Sequence, residues 1–150
     1  MDNILRDGTQ IDQTVFKDLD LNKTASPAVS DFIVVPALYT GNLHIEIVAK
    51  EECEIHGEEI TPEDEDTIEL FPYIDIEYFD RKKNSVFKLE KYVKIPIGIY
   101  SAGTIMSEFS LPFKFLKNIE NGDKCYYVKI SLNYVQDTSS GILNAYLIWR

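Results

Sequence analysis

The sequence predicts an all-β protein: an antiparallel β-sandwich, jelly-roll-like, of about eight strands. Three observations carry this expectation. Apolar and polar residues alternate with period two in one short stretch after another. Turn residues separate those stretches at spacings of roughly 8–20 residues, which suits a sandwich, jelly roll or small barrel rather than a βαβ fold. Tyr (9) and Phe (8) are plentiful, and both fit a half-buried pleated surface. The 150 residues suit one domain, and a hydrophobic fraction of 45% can fill its core.

Residues 1–13 read as an N-terminal arm with a turn at Asp7-Gly8, and residues 14–150 as the sandwich domain. Thr14 to Leu21 ends in alternation, with Leu19 and Leu21 opposed to Asp18 and Asp20. Asp31 to Val35 is a short apolar strand closed by Pro36, whose missing N–H marks a strand end or an edge. After a turn at Tyr39 to Asn42, Leu43 to Ala49 alternates: Leu43, Ile45, Ile47 and Ala49 are expected to face the core, and His44, Glu46 and Val48 to point away.

Residues 50–66 are the one break in composition. Carboxylates crowd this stretch, from Glu51 and Glu52 to Glu63, Asp64, Glu65 and Asp66, and Gly57 and Pro62 break any helix. Their mutual repulsion predicts a solvated acidic loop. Thr67 to Phe79 follows as a long strand bent at Pro72, and Val86 to Ile95 returns as its partner. The hairpin between them has a basic tip at Arg81, Lys82 and Lys83. Thr104 to Leu111 is the next strand, and Phe113 to Asn118 reads as one helical turn. Lys124 to Val135 and Ile142 to Trp149 read as a second hairpin around the small residues Asp137 to Gly141.

Net charge is −10, which disfavours nucleic acid and anionic membrane surfaces as partners. No apolar run approaches the roughly 20 residues of a membrane helix, and the polar start lacks a signal-peptide pattern, so cytoplasmic assembly is expected. Cys53 and Cys125 are expected to be free thiols. Cys53-Glu-Ile-His56 invites a metal reading, but a structural zinc site needs four ligands and only Cys125 remains, so no metal is expected. His56 reads as an ordinary loop histidine. The acidic loop lacks the spacing of a calcium loop. No Gly-x-Ser-x-Gly run or phosphate-cradling glycine loop occurs. The expectation is a protein that is not an enzyme and carries no cofactor.

The basic tip stands against an acidic remainder: it reads first as a hairpin turn kept soluble and protected at its edge by lysine, and alternatively as a site of oriented docking between subunits. Adjacent Tyr126 and Tyr127 must face opposite sides of a strand, so at least one points away from the core or into the second sheet; an outward tyrosine would suit an interface or a sugar-binding surface, and the alternative is routine sandwich packing.

The order of features resembles the jelly-roll capsid cement (decoration) proteins of tailed bacteriophages. The likeness runs through the acidic leader Asp7 to Asp12, the strands Asp31 to Val35 and Leu43 to Val48, Gly103 to Pro112, a tyrosine strand, and Thr138 to Leu147. It implies a virion protein, assembled in the host cytoplasm, that binds the major capsid protein on the shell's outer surface and forms a homo-oligomer there. It implies no catalytic residues. Expected contacts are Ile4, Leu5 and Ile11 of the arm and Arg81, Lys82 and Lys83 of the tip. The alternatives are a carbohydrate-binding β-sandwich module and a head–tail or tail structural subunit.

Overall fold

The computed structural model describes residues 3–4, 10–34, 43–111 and 126–149. Among these the chain is antiparallel β-structure, with one 3-10 turn at Gln136–Thr138 and no α-helix. The first sheet runs β1 (Asn3–Ile4), β2 (Gln10–Asp20), β14 (Ile142–Trp149), β5 (Leu43–Ala49) and β12 (Ile105–Ser110). The second runs β10 (Ser85–Lys94), β9 (Tyr73–Phe79), β13 (Tyr127–Asn133) and β3 (Ala28–Val29), and β4 (Ile33–Val34) also pairs with β13. Two small ribbons complete it: β6 (Cys53–Ile55) with β11 (Gly98–Tyr100), and β7 (Glu59–Ile60) with β8 (Ile68–Glu69).

Period-two alternation builds the core. On β13, Val128, Ile130 and Leu132 are buried between half-exposed neighbours. Ile74, Ile76 and Tyr78 repeat the pattern on β9, as do Leu143, Ala145 and Leu147 on β14. With Ile45 and Ile47 of β5 they form one buried cluster drawn from both sheets. Each fully buried Ile or Leu contributes roughly 1.5–3 kcal/mol.

The β9–β10 hairpin forms where expected, and its tip is organised by Asp80. One carboxylate oxygen of Asp80 accepts from the backbone N–H groups of Lys82 and Asn84, both at 2.9 Å. Lys83 takes a left-handed conformation (φ 65°).

Several elements differ from the sequence expectation. Strand β2 begins at Gln10 rather than Thr14, and Asn3–Ile4 pairs with it, so part of the expected arm belongs to the first sheet. The expected acidic loop contains two strands, and its Cys53 and Ile55 are fully buried. Alternation wins there because two apolar residues spaced by one can reach the core whatever charge surrounds them. The expected strand Thr67 to Phe79 divides at Leu70–Pro72 into β8 and β9, which lie in different sheets.

The last two strands do not form a hairpin, since β13 lies in the second sheet and β14 in the first. The connection is held by β6 instead. Glu54 and Ser140 exchange backbone hydrogen bonds at 2.9 Å, and the His56 N–H donates to Ser139 Oγ at 3.1 Å. Gly141 (φ +100°) is required at this crossing, because a Cβ there would lie 2.3 Å from the Glu52 carbonyl oxygen.

His44 and Glu46 sit on the outward parity of β5 but are buried, at 9% and 5% exposure. Strand β5 is interior to its sheet, and same-face side chains of β14 and β12 crowd it from both sides. Leu5, Cys125, the 39–42 turn and the helical turn expected at 113–118 lie outside the described residues.

Candidate functional site

Among the described residues, a patch and a groove gather basic and aromatic side chains. The first is a basic and aromatic patch beside the β9–β10 tip. Arg81, Lys82 and Lys83 are all exposed. Lys83 folds back so that its Nζ lies 4.9 Å from the ring centre of Phe32 and 5.3 Å from that of Tyr127. Lys129 Nζ sits 4.3 Å from the Phe32 ring. Phe32 meets Phe79 and Tyr127 edge-on, with centroids 5.0 and 5.5 Å apart. Such cation–π contacts contribute about 0.5–1 kcal/mol each at exposed positions. They hold the ammonium groups of Lys83 and Lys129 over the rings.

The patch continues onto β4 and β2. Val34, 55% exposed, pairs with Tyr127. The Gln13 side-chain amide bonds both backbone groups of Val34: Nε2 donates to the carbonyl at 3.0 Å, and Oε1 accepts from the N–H at 3.4 Å. Gln13 follows Ile11 on β2 by two residues, so β2 and the basic tip are linked through Val34 and Tyr127. Ile4 and Ile11 lie at the β1–β2 edge of the first sheet, whereas the tip belongs to the second.

The second surface is a groove of about 390 Å³ whose lining includes Phe71, Tyr73, Lys91, Lys94, Glu58 and Glu69. A bulge in β10 aims Lys91. Pairing slips between Leu89↔Ile76 and Val93↔Ile74, four residues advancing against two. Lys91 takes φ 50°, and its N–H donates to Asp75 Oδ1 at 2.7 Å rather than to the ladder. Its Nζ then sits 5.2 Å from the Tyr73 ring centre, and Lys94 Nζ lies 5.9 Å from that of Phe71. Burial, and then the carboxylate of Asp75, push the Tyr73 hydroxyl above its ordinary pKa. Tyr73 therefore stays a neutral hydrogen-bonding group at physiological pH.

His56 braces the wall of this groove. Its Nε2 lies 2.7 Å from Glu54 Oε2 and its Nδ1 2.8 Å from Glu69 Oε1, and the Gly57 N–H also donates to Glu69 at 3.2 Å. The expected ordinary loop histidine is thus a clamp between two carboxylates. The hydrogen bond to Glu54 raises its pKa first, burial opposes this, and Glu69 raises it further. A raised pKa in the fold means that the protonated ring stabilises the native state. That contribution is fully present below the ordinary value of 6.5 and is lost as pH rises through the raised native value. We expect the melting-temperature gap between the native protein and His56→Gln to be largest near pH 5 and to shrink by about pH 8.5. A gap that widens with pH would remove this account.

Cys53 and His56 do not share a site. Alternation on β6 sends Cys53 into the core, where its Sγ–H donates to the Ile142 carbonyl at 3.2 Å. Burial, and then Glu51, push its thiol up to about 11, so it remains protonated and unreactive at neutral pH.

The sequence marked Arg81 to Lys83 but not the rings that Lys83 meets, because Phe32 and Tyr127 come from distant segments of the chain. It gave no signal for the groove beyond the run of aromatic residues at Phe71 and Tyr73. No protein-family model, curated protein or solved structure matches this chain.

Proposed function

We propose that this protein is a jelly-roll capsid cement protein of the tailed-bacteriophage kind, binding the outer surface of the shell built by the major capsid protein and associating there with copies of itself. The observation that carries the reading is the continuous surface from β2 through Val34, Phe32 and Tyr127 to the basic tip. Aromatic rings with cations above them and an exposed valine beside them have the composition of protein interfaces. A basic patch on a chain of net charge −10 favours one docking orientation on an acidic partner. Repeated weak contacts on a lattice then add through multivalency, and no reaction centre is needed.

Purified protein is expected to co-sediment with shells assembled from the major capsid protein of its own virion. The variant Arg81→Glu/Lys82→Glu/Lys83→Glu is expected to bind about tenfold or more weakly, since reversing exposed charges changes docking far more than folding. Absence of binding to the native shell ends this reading.

The groove favours a second reading, a carbohydrate-binding module. Phe71 and Tyr73 offer ring faces for a sugar, and Lys91, Lys94, Glu58 and Glu69 offer polar partners for its hydroxyl groups. A glycan array decides it: a hit abolished by Tyr73→Ala supports the module, and an empty array removes it.

A further inference from the structure

Strand β5 places His44 and Glu46 on one face, and β12 places Glu108 and Ser110 on the same face beside them. Glu46 and Glu108 are direct cross-strand partners, and His44 is the cross-strand partner of Ser110. One ligand atom from each of His44, Glu46 and Glu108 lies within 4.8 Å of the other two. His44 Nε2 is 2.6 Å from Glu108 Oε1, and His44 Nδ1 is 3.4 Å from Ser110 Oγ.

Two carboxylates directly opposite one another across a ladder repel. A cation held between them would be attracted by both, and Glu46, 5% exposed, places one of the two donors away from bulk water.

We propose that His44, Glu46 and Glu108 form a binding site for a divalent first-row metal cation such as Zn²⁺, bound more tightly than Mn²⁺ and far more tightly than Mg²⁺. The donor set points to that class. An imidazole nitrogen with two carboxylate oxygens suits zinc, manganese or iron, whereas calcium and magnesium prefer all-oxygen shells. Ligand atoms around one such ion lie roughly 3.0–3.5 Å apart, given bond lengths near 2.0–2.2 Å. To reach that spacing the 2.6 Å His44–Glu108 contact must open slightly and ligand atoms as much as 4.8 Å apart must close in.

The surroundings fit. Neutral His44 would coordinate through Nε2, leaving Nδ1–H to donate to Ser110 Oγ, the outer-shell bond that fixes a ligating imidazole. The Glu108 side chain, 39% exposed, opens a path for the ion, while the His44 side chain at 11% holds the inner end. Three protein ligands leave a position for water or for a group on a partner.

His56 is the natural control. Its two nitrogens face different carboxylates, Glu54 and Glu69, so these three do not converge on one point. The test is calorimetric titration of the full chain, stripped with chelator, using Zn²⁺, Mn²⁺ and Mg²⁺ in turn, with thermal melts in parallel. The expected result is a single saturable Zn²⁺ site, tighter than that for Mn²⁺ and far tighter than that for Mg²⁺, with a raised melting temperature. Glu108→Ala is expected to weaken Zn²⁺ binding about tenfold or more. His44→Gln should remove it, and His56→Gln should leave it unchanged. Glu108 is exposed, so its variant should unfold cooperatively in chelator as the native chain does, which keeps the test valid even if His44→Gln fails to fold. The proposal is overturned by any of three results: no Zn²⁺ heat or melting shift at millimolar metal, Mg²⁺ binding as tight as Zn²⁺, or Zn²⁺ binding unaltered by Glu108→Ala.

Discussion

Gly57→Ala is expected to cost about 3 kcal/mol of stability or more, read as a lowered urea midpoint. A Cβ at this position would lie 1.8 Å from the Leu70 carbonyl oxygen and 2.9 Å from the Phe71 carbonyl carbon. Both are main-chain atoms, so no side-chain rotation can relieve the overlap. Nor can the opposing segment retreat easily. The Leu70 N–H donates to Glu58 at 2.7 Å, Glu69 is held by His56 and Gly57, and the Ile95 N–H donates to Pro72 at 2.8 Å. Inserted methyl groups cost about 1–3 kcal/mol where neighbours can adjust, and these neighbours are tied backbone. The same shift would displace Leu70 and Phe71, which line the groove, so any ligand of the groove should be lost with stability. An unchanged midpoint would show that the two segments do not approach this closely.

Ile76→Ala should cost about 4 kcal/mol, within the range of roughly 2–5 kcal/mol for emptying a buried isoleucine site. Ile76 is fully buried at the middle of the second sheet, paired with Leu89 of β10 on one side and Ile130 of β13 on the other. Its neighbours are held by ladders on both sides, so the cavity cannot collapse. Domains of this size have only about 5–15 kcal/mol in total, so this loss is a large part of it. Ile99→Ala is the contrast: Ile99 is 65% exposed, and its truncation should stay within about 0.5 kcal/mol. Equal effects of the two, measured by chemical denaturation, would contradict the placement of the core.

Local pattern was legible in the sequence. Leu43–Ala49 forms a strand with the expected bounds, and the β9–β10 hairpin turns where Arg81, Lys82 and Lys83 were expected to stand. Val128, Ile130, Leu132 and Tyr134 are buried on one parity, as their alternation requires. These features depend only on the two-residue period and on short-range turn chemistry. Cys53 and Ile55 were hidden because charge density argued for a solvated loop, while two inward apolar residues were enough to anchor a strand.

Alternation says which residues of a strand share a face, but not which strand lies beside it. The sequence by itself determined an all-β chain, most of its strand segments, the inward parity of β9 and β13 and the basic tip, whereas bulges break the expected alternation on β2 and β10, where adjacent Val15 and Phe16 are both buried and Phe87 is exposed. Only the tertiary structure decided that β13 and β14 separate into two sheets, that Lys83 covers Phe32 and Tyr127, and that His44 meets Glu108 across 64 residues of chain. The physical reason is that those contacts are set by ladder register and by where the chain crosses between sheets. Both are properties of distant segments choosing one another, and no short window of residues encodes them.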